Sequence, residues 1–502
     1  MPNCDTLIQN ARVIDGSGAD PFIADVVLQN GSIATVGDAS DWKPAKIVDA
    51  GGLTLCPGFI DTHTHDDASV IRTPAMLPKL TQGVTTVIVG NCGISVAPVL
   101  LKGDPPDPMN LLGEAESFRY PTFAAYTAAV TSAAPAVNVA AFVGHTALRS
   151  NHMDRLDRAA NKQEVLAMRA QLSEALDNGA LGLSTGLAYL SAASAPVDEV
   201  LALTELLQNA GGMYATHMRT EAAAILDAME EAFQVGRHSA VPVVISHLKC
   251  AGVDNWGRSD EVLRRLDSAR EAQQVSCDCY PYAASSTTLD IRQVDPRVKV
   301  TITWSKSYPA LAGQALSEIA AGWGISQEDA ARRLQPAGAI YHGMSEDDVR
   351  RILRHPATMI GSDGLPNDAK PHPRLWGTFP RVLGHYCRDE GLFSLPQAVH
   401  KMTGAPAQNF GLLNRGLVRE GYAADLVLFD PETVRDRATF EMPEVPADGI
   451  EQIWVNGVLS FSTREATGER AGRFLCRQVS SVSQTRLEAP LSESLRSVDR
   501  KQ

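Results

Sequence analysis

From about Pro57 onward the chain alternates short apolar runs, each ending in polar residues or glycine, with stretches of helical periodicity such as KQEVLAMRAQLSEAL and DEVLALTELLQNAG. Runs of this kind read as strands, and strands alternating with helices build a parallel sheet. Eight candidates follow in order: GFIDTHTH, GVTTVIVGNCG, VNVAAFVGH, ALGLSTGLAY, GGMYATHM, VPVVISHLK, VSCDCYPY and ATMIGSDG. That number over this length predicts an α/β fold built on a (β/α)8 TIM-like barrel, whose reactive groups sit at the C-terminal strand ends. An open doubly wound sheet would gather its ligand at one switch point. Here the chemically active side chains are spread over most of the strands, which favours the barrel.

The two ends of the chain differ from this middle. TLIQNARVIDG and ADVVLQNGSIATVG alternate apolar and polar residues and are punctuated by glycine, and ADLVLFDP and GIEQIWVNGVLSF near the other end do the same. The expectation is one small discontinuous β-sandwich domain from residues 1–57 and 415–480, flanking a barrel at 58–414. A long spacing between Tyr282 and Thr358 holds the helical pattern QALSEIAAGWGISQEDAARRL, so residues 283–342 are expected to form an insertion or lid over the catalytic face. Residues 481–502 read as a polar C-terminal tail with little apolar periodicity.

Composition narrows the function. The 502 residues carry Lys+Arg 45 against Asp+Glu 58, a formal net charge of -13, with no dense basic cluster to neutralise a phosphate backbone. Nucleic acid is not an expected partner; a small-molecule substrate is. The eight cysteines are scattered rather than spaced as a disulfide framework, and neither a signal peptide nor a bilayer-spanning run is present. A cytoplasmic protein with reduced thiols and no membrane partner is expected.

Six side chains at strand ends could hold a metal. In GFIDTHTHDD the residues His63 and His65 are one apart, so on a strand both point to one face, roughly 6 to 7 Å apart along the backbone. Cys92 follows VTTVIVGN, where an ordinary buried thiol is the alternative. His217 and His247 each close an apolar run, and Asp363 closes the last, where helix capping is its alternative use. Burying several imidazoles at a barrel mouth is costly unless a cation partners them. His145 at the end of VAAFVGH is a candidate pocket residue, and His372 stays open between site and packing roles.

These motifs, with ATHMR, YPYAASST, MIGSDGLP, HPRLWGTFPRVLG and KMTGAPAQNFGL, run in order over nearly the whole chain and resemble the N-acyl-D-amino-acid deacylases (D-aminoacylases) of the amidohydrolase superfamily. Many superfamily members bridge two metals with a carbamylated lysine on strand four. ALGLSTGLAY has no lysine, and in the deacylases a strand-two cysteine takes that role, which Cys92 fits. The resemblance implies a tightly bound Zn2+ on Cys92, His217 and His247, and a second, weaker site using His63, His65 and Asp363. It also implies metal-activated water attacking the amide, with Asp363 as general base and then acid. Lys249, Tyr280 and Arg374 are implied in substrate recognition, with Ser286 a further candidate. Arg292 lies near where acidic-substrate members carry an arginine, but its local motif differs. Neutral, hydrophobic N-acyl-D-amino acids are therefore the expected substrates, and N-acyl-D-glutamate or N-acyl-D-aspartate the alternative. A cyclic amidase of the hydantoinase or dihydropyrimidinase kind is disfavoured by the missing lysine, and a non-catalytic relative by the presence of all six ligands.

Overall fold

All eight apolar runs are barrel strands in the computed structural model, which describes residues 1–462 and 464–477. They are β1 (Phe59–Asp61), β2 (Val84–Val89), β3 (Asn138–Ala141, resuming at Val143–Gly144), β4 (Gly182–Gly186), β5 (Met213–His217), β6 (Val243–Ile245), β7 (Val275–Cys279) and β8 (Thr358–Ile360). Each pairs in parallel with the next. The ring closes where Thr64 bridges Gly364 and where the Thr62 amide donates to the Ile360 carbonyl. Side chains facing the axis, among them Ile60, Ile88, Leu181, Met213, Val244 and Met359, fill the lower barrel with one apolar cluster. The barrel is therefore packed rather than hollow, and only its upper rim is free for chemistry.

Helices cover the outside because their apolar stripes bury against the strands. The longest, Lys162–Asp177, opens with a reciprocal capping box between Asn161 and Glu164. Strands from both ends of the chain form one sheet in the order 465–466, 458–462, 450–455, 426–429, 54–57, 3–13, 22–29 and 32–37, with Lys43–Asp49 pairing off Asn3–Val13. Thr54–Pro57 runs antiparallel to Leu426–Phe429 and joins the two ends directly. Ile8, Val26, Leu55, Leu426 and Trp454 make its internal core. On the other face of the same strands, Cys56, Val427 and Phe429 pack into the large core shared with the barrel.

Between β7 and β8 the chain forms a three-stranded antiparallel sheet (Ser285–Thr288, Val300–Ser305, Ala337–Tyr341) and two helices, Leu316–Trp323 and Gln327–Leu334. The expected helical stretch is thus split, at Gly324, whose left-handed φ of 68° ends the first helix. This unit has its own apolar cluster around Ile302, Leu316 and Ala339. The tail expected at 481–502 lies outside the described residues.

Candidate metal centre and active site

The backbone itself singles out the barrel mouth. Cys92, His247 and Asp363, three of the six candidate ligands, have φ of 54°, 36° and 50°, in the left-handed region that non-glycine residues avoid. Such strain persists where the surroundings impose it and clusters at functional sites. In each case the strand has just ended and the chain turns sharply, which swings the side chain inward over the axis. Neighbouring loops are equally tight: a Cβ at Gly186, the end of β4, would lie 2.1 Å from the Cys92 carbonyl oxygen. β4 therefore has no room for a side chain there, in keeping with its lack of a lysine.

All six expected ligands converge. Among the described residues two donor groups form, His63, His65, Cys92 and Asp363 in one and Cys92, His217 and His247 in the other, with ligand atoms in each within 4.8 Å of one another. Cys92 belongs to both, its Sγ 3.2 Å from His63 Nε2 and 3.3 Å from His247 Nε2. Asp363 Oδ1 is 3.2 Å from His65 Nε2 and 3.5 Å from His63 Nε2. Burial opposes ionisation of Cys92, but the charges of His63 and His247 and hydrogen bonds from His217 and His247 hold its thiol well below the usual range. His65 Nδ1 and His217 Nδ1 are buried with no hydrogen-bond partner. A thiolate, several imidazoles and a carboxylate at this spacing fit zinc, and the three-ligand group leaves a coordination position open.

Three acidic supports were not singled out from sequence. Asp278 on β7 approaches His63 Nδ1 at 3.2 Å and accepts the His247 amide at 2.8 Å. Glu221 accepts from His247 Nδ1 at 2.9 Å and from Lys249 Nζ at 2.5 Å. Such carboxylates orient ligating imidazoles and raise their basicity. Deeper still, Lys79 is fully buried and donates to Asp61 and Ser362 at 2.7 Å each, while the Ser362 amide donates to Asp61 Oδ1 at 2.7 Å. This network ties the end of β1 to the end of β8 and so fixes His63 relative to Asp363.

The residues expected at the substrate side gather unevenly. Arg374 is completely buried, with Nη1 2.9 Å from Asp363 Oδ2 and Nη2 donating to the Ser286 carbonyl at 2.9 Å. Its Nε and the Ser286 Oγ are buried without partners. Lys249 lies beyond the end of β6 yet is 4 % exposed, its Nζ 2.7 Å from His247 Nδ1. Tyr280 sits beneath both cations, its ring 4.6 Å from the Arg374 guanidinium carbon and 5.8 Å from Lys249 Nζ, with its hydroxyl turned to Met344. Arg292 stands apart: it is exposed and held by Asp290 through Nε and Nη2 at 2.9 and 2.6 Å. His145 is not a pocket residue, because Glu199 takes its Nε2 at 2.9 Å in a buried cluster with Arg149.

A cavity of about 50 Å³ touches His65, His217, His247, Lys249, Ser286 and Asp363. It adjoins a second of about 380 Å³ through the shared His217, Glu221, Ala251, Ser285 and Gln293, and Arg292 and Tyr341 line the outer one. Tyr189, which the sequence reading passed over, borders the inner cavity with its ring 4.9 Å from that of His217 and its hydroxyl 3.1 Å from Thr287 Oγ1.

A barrel with a metal-ligand cluster at its C-terminal mouth defines a class of metal-dependent hydrolases, and the chain belongs to the amidohydrolase family, whose model matches residues 46–461. Within it, the chain is 50% identical over 473 residues to a D-aminoacylase of Alcaligenes xylosoxydans xylosoxydans, covering 94% of this chain and 98% of that protein. It is 48% identical over 472 residues to an N-acyl-D-aspartate deacylase of the same organism, covering 94% and 95%. The structure of N-acyl-D-glutamate deacylase from Bordetella bronchiseptica, complexed with zinc and a phosphonate mimic of the tetrahedral intermediate, superposes with a TM-score of 0.91 at 44% identity, covering 95% of this chain and all of that one. Among the described residues no helix is long and apolar enough to cross a membrane.

Proposed function

We propose that this chain is a zinc-dependent N-acyl-D-amino-acid deacylase, hydrolysing a linear amide to a carboxylate and a free D-amino acid. The observation that carries the reading is one juxtaposition: Asp363 reaches the donor cluster with one carboxylate oxygen and Arg374 with the other. Cys92, His217 and His247 would hold the zinc, which would supply an activated water of pKa ~7 and polarise the amide carbonyl. His63, His65 and Asp363 would form the second, weaker site.

Asp363 handles the proton. Burial favours its neutral acid, but the Arg374 guanidinium and the His65 hydrogen bond outweigh this and hold the carboxyl well below the usual carboxylate range. It is therefore ionised at neutral pH, and from its place at the donor cluster it takes the proton of the attacking water and returns it to the departing amine. Arg374, behind the Ser286 that lines the inner cavity, keeps an Nε without a partner, and its planar guanidinium suits the substrate's α-carboxylate. Lys249 and the Ser286 hydroxyl add donors on the same side, and Tyr280 backs both cations from below. The side chain and acyl group extend into the adjoining larger cavity.

Arg292 borders that cavity with its charge already met by Asp290, which supports neutral over acidic side chains. N-acetyl-D-methionine is expected to have a kcat/KM higher than N-acetyl-D-glutamate by about tenfold or more, since a second carboxylate would be desolvated without a free cation. Steady-state kinetics on the two substrates checks this, and a preference for the glutamate derivative would overturn the assignment of substrate class.

A further inference from the structure

Helix Arg374–Arg381 begins with the guanidinium that faces Asp363, yet its capping residue, Pro373, offers no side-chain acceptor to the first-turn amides. His372 supplies one from just outside: its Nδ1 accepts the Arg374 backbone N–H at 3.0 Å. That bond requires the proton of the neutral ring to lie on Nε2. The ring is 2 % exposed and wedged edge-on between Tyr282, at 5.1 Å, and Phe440, at 5.0 Å. Burial, then the Arg374 guanidinium and His342, push this imidazole well below its ordinary range, so Nδ1 stays an acceptor at neutral pH.

Phe440 belongs to the long connection between Leu426–Phe429 and Ile450–Val455, and therefore to the sheet outside the barrel. The same connection carries Asp436, which meets Arg381 at the far end of the helix at 3.2 Å. The Arg381 guanidinium carbon in turn lies 4.9 Å from the centre of the Tyr282 ring. Both ends of the helix bearing Arg374 are thus braced by one loop of the neighbouring sheet.

We propose that His372 is a positioning residue for the reaction: it fixes the first turn of this helix so that the Arg374 guanidinium keeps its place beside Asp363, and Phe440 holds His372 in that role. The inference rests on the assignment of Arg374 to the substrate's α-carboxylate. His372 touches no reacting atom, so its loss should weaken substrate capture and leave the metal cluster intact.

The test compares His372→Ala, His372→Asn, Phe440→Ala and Arg374→Ala with the wild type, measuring kcat, KM, zinc content and melting temperature. His372→Ala is expected to raise KM about tenfold, the usual weight of one hydrogen bond to a positioned group, with a smaller fall in kcat through the Arg374–Asp363 contact and zinc unchanged. His372→Asn should recover most of the loss, because an asparagine oxygen also accepts the amide two residues on. Phe440→Ala, at a side chain 38% exposed and remote from the ligands, should raise KM in the same direction. An unchanged KM in His372→Ala would overturn the proposal, as would equal defects in the Ala and Asn variants accompanied by lost zinc or a lowered melting temperature. Should His372→Ala fail to fold, an unchanged KM in Phe440→Ala overturns it instead. An unchanged KM in Arg374→Ala, or a zinc-loaded wild type with no hydrolysis, would instead defeat the underlying functional reading.

Discussion

Replacing Cys92 with serine is expected to strip the protein of zinc and lower kcat/KM by about a thousandfold or more, the equivalent of about 4 kcal/mol of transition-state stabilisation from a Lewis acid. Cys92 is the one side chain shared by both donor groups, so its loss disables each. Serine keeps the length of the side chain and tolerates the same left-handed backbone no worse, so the barrel should fold. What changes is the donor: a thiolate whose charge is stabilised by His63 and His247 gives way to a hydroxyl that stays protonated at neutral pH. Metal analysis after dialysis, beside turnover, checks this. Full zinc retention by the variant would remove Cys92 from the centre of the account.

Asp363→Asn separates proton transfer from metal binding. The amide preserves shape and its oxygen can still accept from Arg374, but it cannot take a proton from water, and kcat should fall by about 10²–10⁴-fold. Zinc on Cys92, His217 and His247 should remain, because Asp363 lies outside that group. KM should change less than kcat, since the loss falls on the transition state. A variant with near-normal kcat would show that another group moves the proton.

The barrel was legible because its strands are buried on both faces and read as apolar runs, each stopped by polar residues or glycine. The candidate ligands were legible for the same reason, as chemistry-bearing residues placed at several of those stops. Glu221, Asp278 and the Lys79–Asp61 pair were not, because each derives its meaning from a partner on another strand or loop. Asp278 carried a signal in hindsight: an acid inside VSCDCYPY, a strand otherwise buried, must have a compensating partner. His145 shows the reverse. It ends an apolar run as the ligands do, but Glu199 and Arg149, both helix residues, claim it. The three short strands of the insertion were hidden because SSTT has no apolar run, and their pairing depends on Ala337–Tyr341 far along the chain.

In the proposed binding mode the donor cluster takes the amide and Arg374 the α-carboxylate, which leaves two directions at Cα; the adjoining larger cavity receives a side chain along one of them and so imposes a handedness. The most direct measurement is kcat/KM for paired D and L enantiomers of several N-acetyl amino acids, with zinc per chain counted on the same preparation. Hydrolysis of the D forms exceeding the L forms by at least about a hundredfold, and scaling with zinc content, is the predicted result. Equal turnover of both enantiomers, or no hydrolysis by zinc-loaded protein, would contradict it.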